Sequence, residues 1–291
     1  MVTPDAQKEA VHHCKDSYNL SERQACKLID ISRSVYRYHK KLDGNIVLRK
    51  ILRTEADKHK KYGCVMLYRL IRNKGYKVNH KRIERLYREE NLALRRRKKK
   101  RKLPTRTMNL KKANKPGENW SIDFIHDALH SGRKFRVFGV IDTVSRESLE
   151  LFPEFSITGK RVTELLDKIS ITRGLPDSIN LDNGPEFTSK EMLEWAKKRK
   201  VTLNFSRPGK PTDNAYIESF FGRFREECLS MEWFLNLEDA RKKIKLWQEG
   251  YNNIRPHGAL GGDPPRVYAL NFQSVTSSQE NHLKTGTKNG V

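Results

Sequence analysis

The chain has 291 residues, enough for about two domains, and carries 59 Lys and Arg against 35 Asp and Glu for a formal net charge of +24. Solubility asks for far less charge than this, so the balance points to a polyanionic partner. Its most apolar run, Val137 to Ile141, is far too short to span a bilayer and no secretory h-region opens the chain, so the expectation is no membrane span and a cytoplasmic place.

The charge is shared unevenly: residues 1–103 hold a net +19 and residues 104–291 only +5. A nucleic-acid-gripping first third joined to a more balanced catalytic part is the arrangement this favours. The four cysteines, Cys14, Cys26, Cys64 and Cys228, form no C-x-x-C. That argues against a zinc unit or a disulfide frame. His12-His13-Cys14 has no second ligand pair at finger spacing and reads as an ordinary helix segment.

Ser21-Glu22-Arg23-Gln24 fits a capping box, followed by Ala25, Leu28 and Ile29 on one face. Asp30-Ile31-Ser32 makes a turn, and Ser32 caps a short helix through Val35, Tyr36 and Tyr38. Residues 1–42 thus follow helix-turn-helix grammar, which helical hairpins that ignore DNA also share. A second helical unit over 43–94 has the stripe Leu67, Leu70 and Ile71, ended by Gly75. Asn79 then caps a helix with Ile83, Leu86 and Tyr87 inward. His80, Lys81, Arg82, Arg85 and Arg88 fall mostly on the opposite side, as a phosphate-contacting face or a merely solvated one would.

Arg95 to Lys102, beginning Arg95, Arg96 and Arg97, are eight consecutive cations within a linker over 95–117. Such a run would neutralise phosphates without reading sequence. Beyond it, strands are expected at Trp120–Ile125, Phe135–Ile141, Ser148–Phe152, Ser178–Leu181 and Val201–Phe205. Helices are expected at Thr158–Ser170 and Ser189–Lys200. Three strands followed by alternating helices and strands make an α/β layer with a mixed sheet. Residues 118–270 form this core with a C-terminal helical segment, and the polar tail over 271–291 is expected to be disordered.

Three acids stand in distinctive settings: Asp123 within the first strand, Asp182 in Asp-Asn-Gly-Pro-Glu-Phe, and Glu218 early in a helix that Thr212, Asp213 or Asn214 caps. Alone, Asp182 is explained by turn chemistry and Glu218 by the helix dipole. Together they suit hard divalent cations on a polyanionic substrate. Ile217, Phe221, Phe224 and Cys228 form the buried stripe of the Glu218 helix, while Glu218 and Arg225 share another face about 10.5 Å apart along the axis. Gly222 lies between them. Asp142 reads as a hydrogen-bonded loop residue ahead of a support for the metal site, Trp120 as core ahead of a DNA-stacking ring, His257 as structural ahead of a proton shuttle, and Lys210 in the loop entering the helix as a candidate DNA contact.

Trp120-Ser121-Ile122-Asp123-Phe124, Leu181 to Phe187, and Ser206 to Ala215 running into Glu218 resemble the catalytic core of an insertion-sequence transposase. The resemblance is to the second-frame product of the insertion-sequence-three family, within the retroviral-integrase superfamily. Tyr251 to His257 resembles its C-terminal signature, and Tyr62-Gly63 with Val78 to Leu92 its helical domain. The resemblance implies a ribonuclease-H-like mixed sheet preceded by an all-α helix-turn-helix-like DNA-binding region. It implies that Asp123, Asp182 and Glu218 are catalytic and hold metal, with two Mg²⁺ ions that Mn²⁺ can replace, and that Arg225 meets DNA.

The implied reaction is cleavage of element ends in double-stranded DNA, then strand transfer by 3′-hydroxyl attack on a target phosphate. A plain metal nuclease and a non-catalytic DNA-binding regulator are the alternatives. No G-x-x-x-x-G-K-[ST] loop is present, in keeping with a reaction that needs no nucleotide cofactor. The resemblance also implies a homo-oligomer on DNA, a place at the bacterial nucleoid, and an upstream-frame partner supplying a zipper segment. The chain departs from the retroviral proteins in lacking their His/His…Cys/Cys zinc unit, and it has Leu181 where a small polar residue is frequent.

Overall fold

The structure is a computed structural model that describes residues 3–38, 44–94, 113–207 and 214–272. Arg95, Arg96, Arg97, Lys210, Thr212 and Asp213 lie outside the described residues, as does the tail beyond Phe272. The chain divides into two compact units, Met1–Ile51 and Leu52–Val291.

The first unit holds α1 (Pro4–Tyr18), α2 (Glu22–Leu28) and α3 (Arg33–Arg37). The Ser21 capping box forms in full, with Gln24 reaching back to the Ser21 N–H, and Ser32 caps α3 through the Val35 N–H. Val11, Cys14, Ala25, Cys26 and Ile31 make the small core, joined by Leu20, Ile29 and Tyr36. Leu28, expected inward, is 67% exposed, and Cys26 takes the buried place instead.

Helix α4 (Ile46–Lys58) leads into the second unit, where α5 (Cys64–Asn73) and α6 (His80–Glu89) pack together. Their inward residues are the expected six, Leu67, Leu70, Ile71, Ile83, Leu86 and Tyr87, all buried. Gly75 adopts φ +91°, and the Tyr76 N–H returns to the Ile71 carbonyl at 3.3 Å. That left-handed stop is where a side chain would be strained. Asn79 then accepts the Lys81 N–H at 3.0 Å to start α6.

The core is a five-stranded mixed sheet in the order β3-β2-β1-β4-β5. β1 (Asn119–Ala128) runs antiparallel to β2 (Lys134–Asp142), which pairs antiparallel with β3 (Ser148–Glu154). β4 (Ser178–Leu181) and β5 (Thr202–Phe205) continue in parallel from the other side of β1. Helices α7 (Gly159–Arg173) and α8 (Lys190–Arg199) cover one face, closing on Trp120, Ile122, Phe138 and Val140. Helix α9 (Ala215–Phe224), a π-helical turn (Arg225–Leu229) and α10 (Leu237–Asn253) cover the other, closing on Ile125, Phe135, Val137 and Ile141.

β2 contributes to both cores, which is why its sequence is nearly continuously apolar rather than alternating. β1 alternates: Trp120 and Ile122 face α7 and α8, so Asp123, like Ile125, belongs to the α9 face. No helix among the described residues is long and apolar enough to cross a membrane.

Candidate active site

Asp123 stands half-buried at the middle of β1, its Oδ1 accepting the Phe124 N–H at 2.7 Å. β4 runs beside β1 with Ser121 level with Asn180. Continuing that register by two residues puts Asp182 level with Asp123. Asp182 is exposed just beyond the strand end, where its Oδ1 accepts the Gly184 N–H at 2.9 Å. Asn183 donates to the Ser206 carbonyl at 2.8 Å, tying this turn to the exit of β5. Glu218 lies in the first turn of α9, exposed toward solvent.

Asp123 senses the other two carboxyls. Burial pushes the Asp123 pKa up to about 6 against the pull of the Phe124 N–H, and the charges of Asp182 and Glu218 press in the same direction. Burial also raises Glu218. Nearby acids are neutralised by partners: Arg136 pairs with Glu186, Arg173 and Arg266 with Glu147, and Arg255 with Glu227. Asp123, Asp182 and Glu218 have no such cation among the described residues. Three carboxylates without a cation partner among the described residues are of the chemistry that divalent cations with oxygen ligands take. Among the described residues no three Asp, Glu, His or Cys side chains, these acids included, are gathered closely enough to hold a metal ion as they stand.

The Asp182 turn is braced from the sheet. The Arg136 guanidinium pairs with Glu186 and lies over the Phe124 ring at 4.1 Å, while Phe124 stacks on Phe187 at 5.1 Å. Burial alone would raise the Glu186 carboxyl, but the Arg136 hydrogen bond holds it below its usual value.

The start of α9 differs from expectation. Asn214 occupies the N-cap position but makes no capping hydrogen bond. It is buried, accepts the Ser121 hydroxyl, and donates to the Ile122 carbonyl at 3.1 Å. So one of the three side chains expected to cap the helix instead fastens it to β1, one and two residues before Asp123. Ile217, Phe221, Phe224 and Cys228 are buried as expected, and Phe220 joins them.

Arg225 opens the π-helical turn rather than continuing an α-helix. Its exposed guanidinium donates to the His126 carbonyl of β1 at 3.2 Å. A Cβ on Gly222 would meet nothing within 4 Å, so this part of the helix is open to a large ligand.

Asp142 is a loop organiser, accepting the Val144 and Ser145 N–H groups and the Gly117 N–H. Trp120 is wholly buried. His257 sits edge-on against Tyr251, and burial with the cations Arg255, Arg146 and Arg223 drives its pKa down to about 3, so it carries no proton near neutrality. Lys81, Arg82, Arg85 and Arg88 lie exposed on α6, with Arg85 3.6 Å from Glu89 and Arg88 paired with Glu84.

The integrase core domain family matches residues 113–211 and, through a second profile of the same description, 199–265. An HTH-like domain matches residues 43–100. The chain is 41% identical to a protein of insertion element IS407 from Burkholderia multivorans, over 91% of this chain and 96% of that one. It is 37% identical to a protein of insertion element IS476 from Xanthomonas euvesicatoria, over 94% and 79%. In fold it resembles a chain of the simian T-cell lymphotropic virus intasome complexed with the PP2A regulatory subunit B56 gamma, with a TM-score of 0.50 and 14% identity, covering 75% of this chain and 74% of that one.

Proposed function

Because the chain belongs to the insertion-element transposase family that carries an integrase core domain, we propose that Asp123, Asp182 and Glu218 are its catalytic triad. In this reading the protein cuts the ends of its own element in double-stranded DNA and joins the freed 3′-hydroxyls to a target phosphate. The observation that carries it is the trio of carboxylates from the middle of β1, the end of β4 and the first turn of α9, none paired with a cation among the described residues, with Asp123 held near pKa 6 by burial and by the other two acids.

Asp123 supplies a carboxylate from the rigid centre of the sheet, and Asp182 one from the end of the neighbouring strand. Glu218 closes the set from a helix that Asn214 fastens to β1. Two divalent cations held there, Mg²⁺ or Mn²⁺, would activate the attacking oxygen and steady the leaving one. Arg225, pinned to the His126 carbonyl, offers its remaining N–H donors to a flanking phosphate. The exposed cations Lys81, Arg82, Arg85 and Arg88 of α6, the run at Arg95, Arg96 and Arg97, and Lys210 neutralise the duplex backbone. The protein acts as a homo-oligomer on DNA, together with an upstream-frame partner.

The test is strand transfer on labelled element ends with Mg²⁺ or Mn²⁺. Asp182→Asn and Glu218→Gln should each abolish cleavage and joining while leaving DNA binding intact. Variants as active as the parent would overturn the triad, and nicks that never become joined strands would reduce the activity to that of a nuclease.

A further inference from the structure

Gly139 lies in the middle of β2, paired directly across from Asp123 of β1. Directly paired residues send their side chains to the same face of a sheet. Here that face carries α9. A Cβ on Gly139 would stand 2.6 and 2.7 Å from the Cε1 and Cζ atoms of Phe221, and 3.5 Å from Leu151 Cδ2. Ordinary carbon contacts need about 3.5–4.0 Å, so a single methyl would demand roughly 1 Å of movement.

The backbone does not explain this glycine, because its φ is not positive. A glycine inside a strand weakens it and often marks close approach by another part of the chain. Its neighbours Phe138 and Val140 are wholly buried, as an ordinary apolar residue could be here. The approaching group is Phe221, one turn beyond Glu218. It is itself buried in the core that α9 closes with Ile125, Phe135, Val137 and Ile141, and a close-packed interior leaves a ring little room to move aside. Asn214 fastens the start of the same helix to Ser121 and Ile122. Helix α9 is therefore held to the sheet at two points that bracket Glu218.

The geometry points to Gly139 as a positioning residue of the catalytic site: the side chain it lacks lets Phe221 seat α9 on the sheet, which sets the gap between Glu218 and Asp123, the two acids that would hold a cation. This rests on the reading of those two acids as joint metal ligands. Gly139 touches no substrate and acts only through Phe221 and the height of the helix.

The experiment compares the full chain with Gly139→Ala, Phe221→Leu and the double variant. It reads three quantities: the single-turnover cleavage rate at saturating DNA, the DNA dissociation constant, and Mn²⁺ binding by calorimetry without DNA. Misplacing a catalytic group by about 1 Å can cost 100-fold in rate. Gly139→Ala should therefore slow cleavage about 100-fold and weaken Mn²⁺ binding, with DNA affinity unchanged. Phe221→Leu removes the atoms that clash, so the double variant should recover to within about fivefold of the parent in rate and regain Mn²⁺ binding.

A Gly139→Ala protein with parental rate and Mn²⁺ affinity overturns the inference, and so does a folded double variant no better than the single one. If Gly139→Ala alone fails to fold, the double variant decides by the same two readouts. Failure of both to fold also overturns it, because relieving the clash must restore the packing. A parent inactive on DNA, whose Mn²⁺ binding nonetheless falls in Gly139→Ala and returns in the double variant, keeps the geometry and removes the proposed reaction.

Discussion

Asp123 gives the site a proton equilibrium that stability measurements can see. Its carboxyl titrates near 3.8 when unperturbed and near 6 in the folded chain, mainly through burial. Below pH 3.8 both states hold the proton and stability is at its fullest with respect to this group. Between 3.8 and about 6 the unfolded chain releases the proton first, so stability falls as pH rises. Above 6 the folded chain carries an ionised acid against two others. Asp123→Asn, neutral throughout, should flatten that fall and gain on the order of 1–3 kcal/mol at pH 8 in chelator. Added Mg²⁺ should then raise the urea midpoint of the parent and not of the variant. An unchanged slope between pH 4 and 6 would show that Asp123 is not held as described. Asn214 is the second residue with a measurable cost. Asn214→Ala leaves the buried Ser121 hydroxyl and Ile122 carbonyl without the partner they have now, a loss of about 1–3 kcal/mol. Its cleavage rate should fall further than its stability loss explains, because the start of α9 is released from β1.

The elements around α9 are locked by a cluster to which the segment Tyr251 to His257 contributes. Arg255 grips Glu227 of the π-helical turn in a fork, Nη2 to Oε1 at 2.7 Å and Nε to Oε2 at 2.9 Å, with both side chains more than nine-tenths buried. Asn252 exchanges hydrogen bonds with the backbone of Ser148, joining α10 to the start of β3. Removing one partner of such a pair strands a buried charge, so Arg255→Ala should cost about 3–5 kcal/mol in urea unfolding. Replacing both partners by Met should recover most of it, and a cost below about 1 kcal/mol for the single change would mean the pair is not buried in solution. The caps at Ser21, Ser32 and Asn79 were legible because each is a short-range contact between a polar side chain and the next turn. The strands were legible from their runs of apolar residues. The π-helical turn was not, because nothing in Arg225-Glu226-Glu227-Cys228-Leu229 interrupts the apolar stripe that Cys228 completes. Asn214 read as one of three possible caps, with Thr212 and Asp213, because its partner Ser121 is 93 residues away. Gly139 lay hidden in an apolar run, although an isolated strand glycine is itself a signal of close approach. Asp123, Asp182 and Glu218 stood out as motifs, and the influence of the other two acids on Asp123 needed the sheet register.

Over the whole molecule the charge is divided by task. The first 103 residues carry net +19 and the remainder +5, so Asp123, Asp182 and Glu218, which pair with no cation among the described residues, lie in the part with the smaller cationic excess. The same division predicts where the salt dependence of DNA binding originates. Each phosphate neutralised by a cation contributes about 0.9 to the slope of log K against log salt. Lys81 and Arg85 lie on the exposed side of α6, and the Arg85–Glu89 contact is a 3.6 Å surface pair between half-exposed or more open side chains. A pair of that kind contributes little, so a phosphate can displace it. Lys197 and Lys198 are also exposed, but they sit on α8, across the sheet from the face that carries Asp123 and α9. Lys81→Ala with Arg85→Ala should therefore lower the slope by about 2, and weaken binding to all sequences alike. Lys197→Ala with Lys198→Ala removes the same formal charge and should leave the slope unaltered. Equal losses from the two pairs in a fluorescence anisotropy salt titration would mean that net charge alone, and not the α6 face, governs binding.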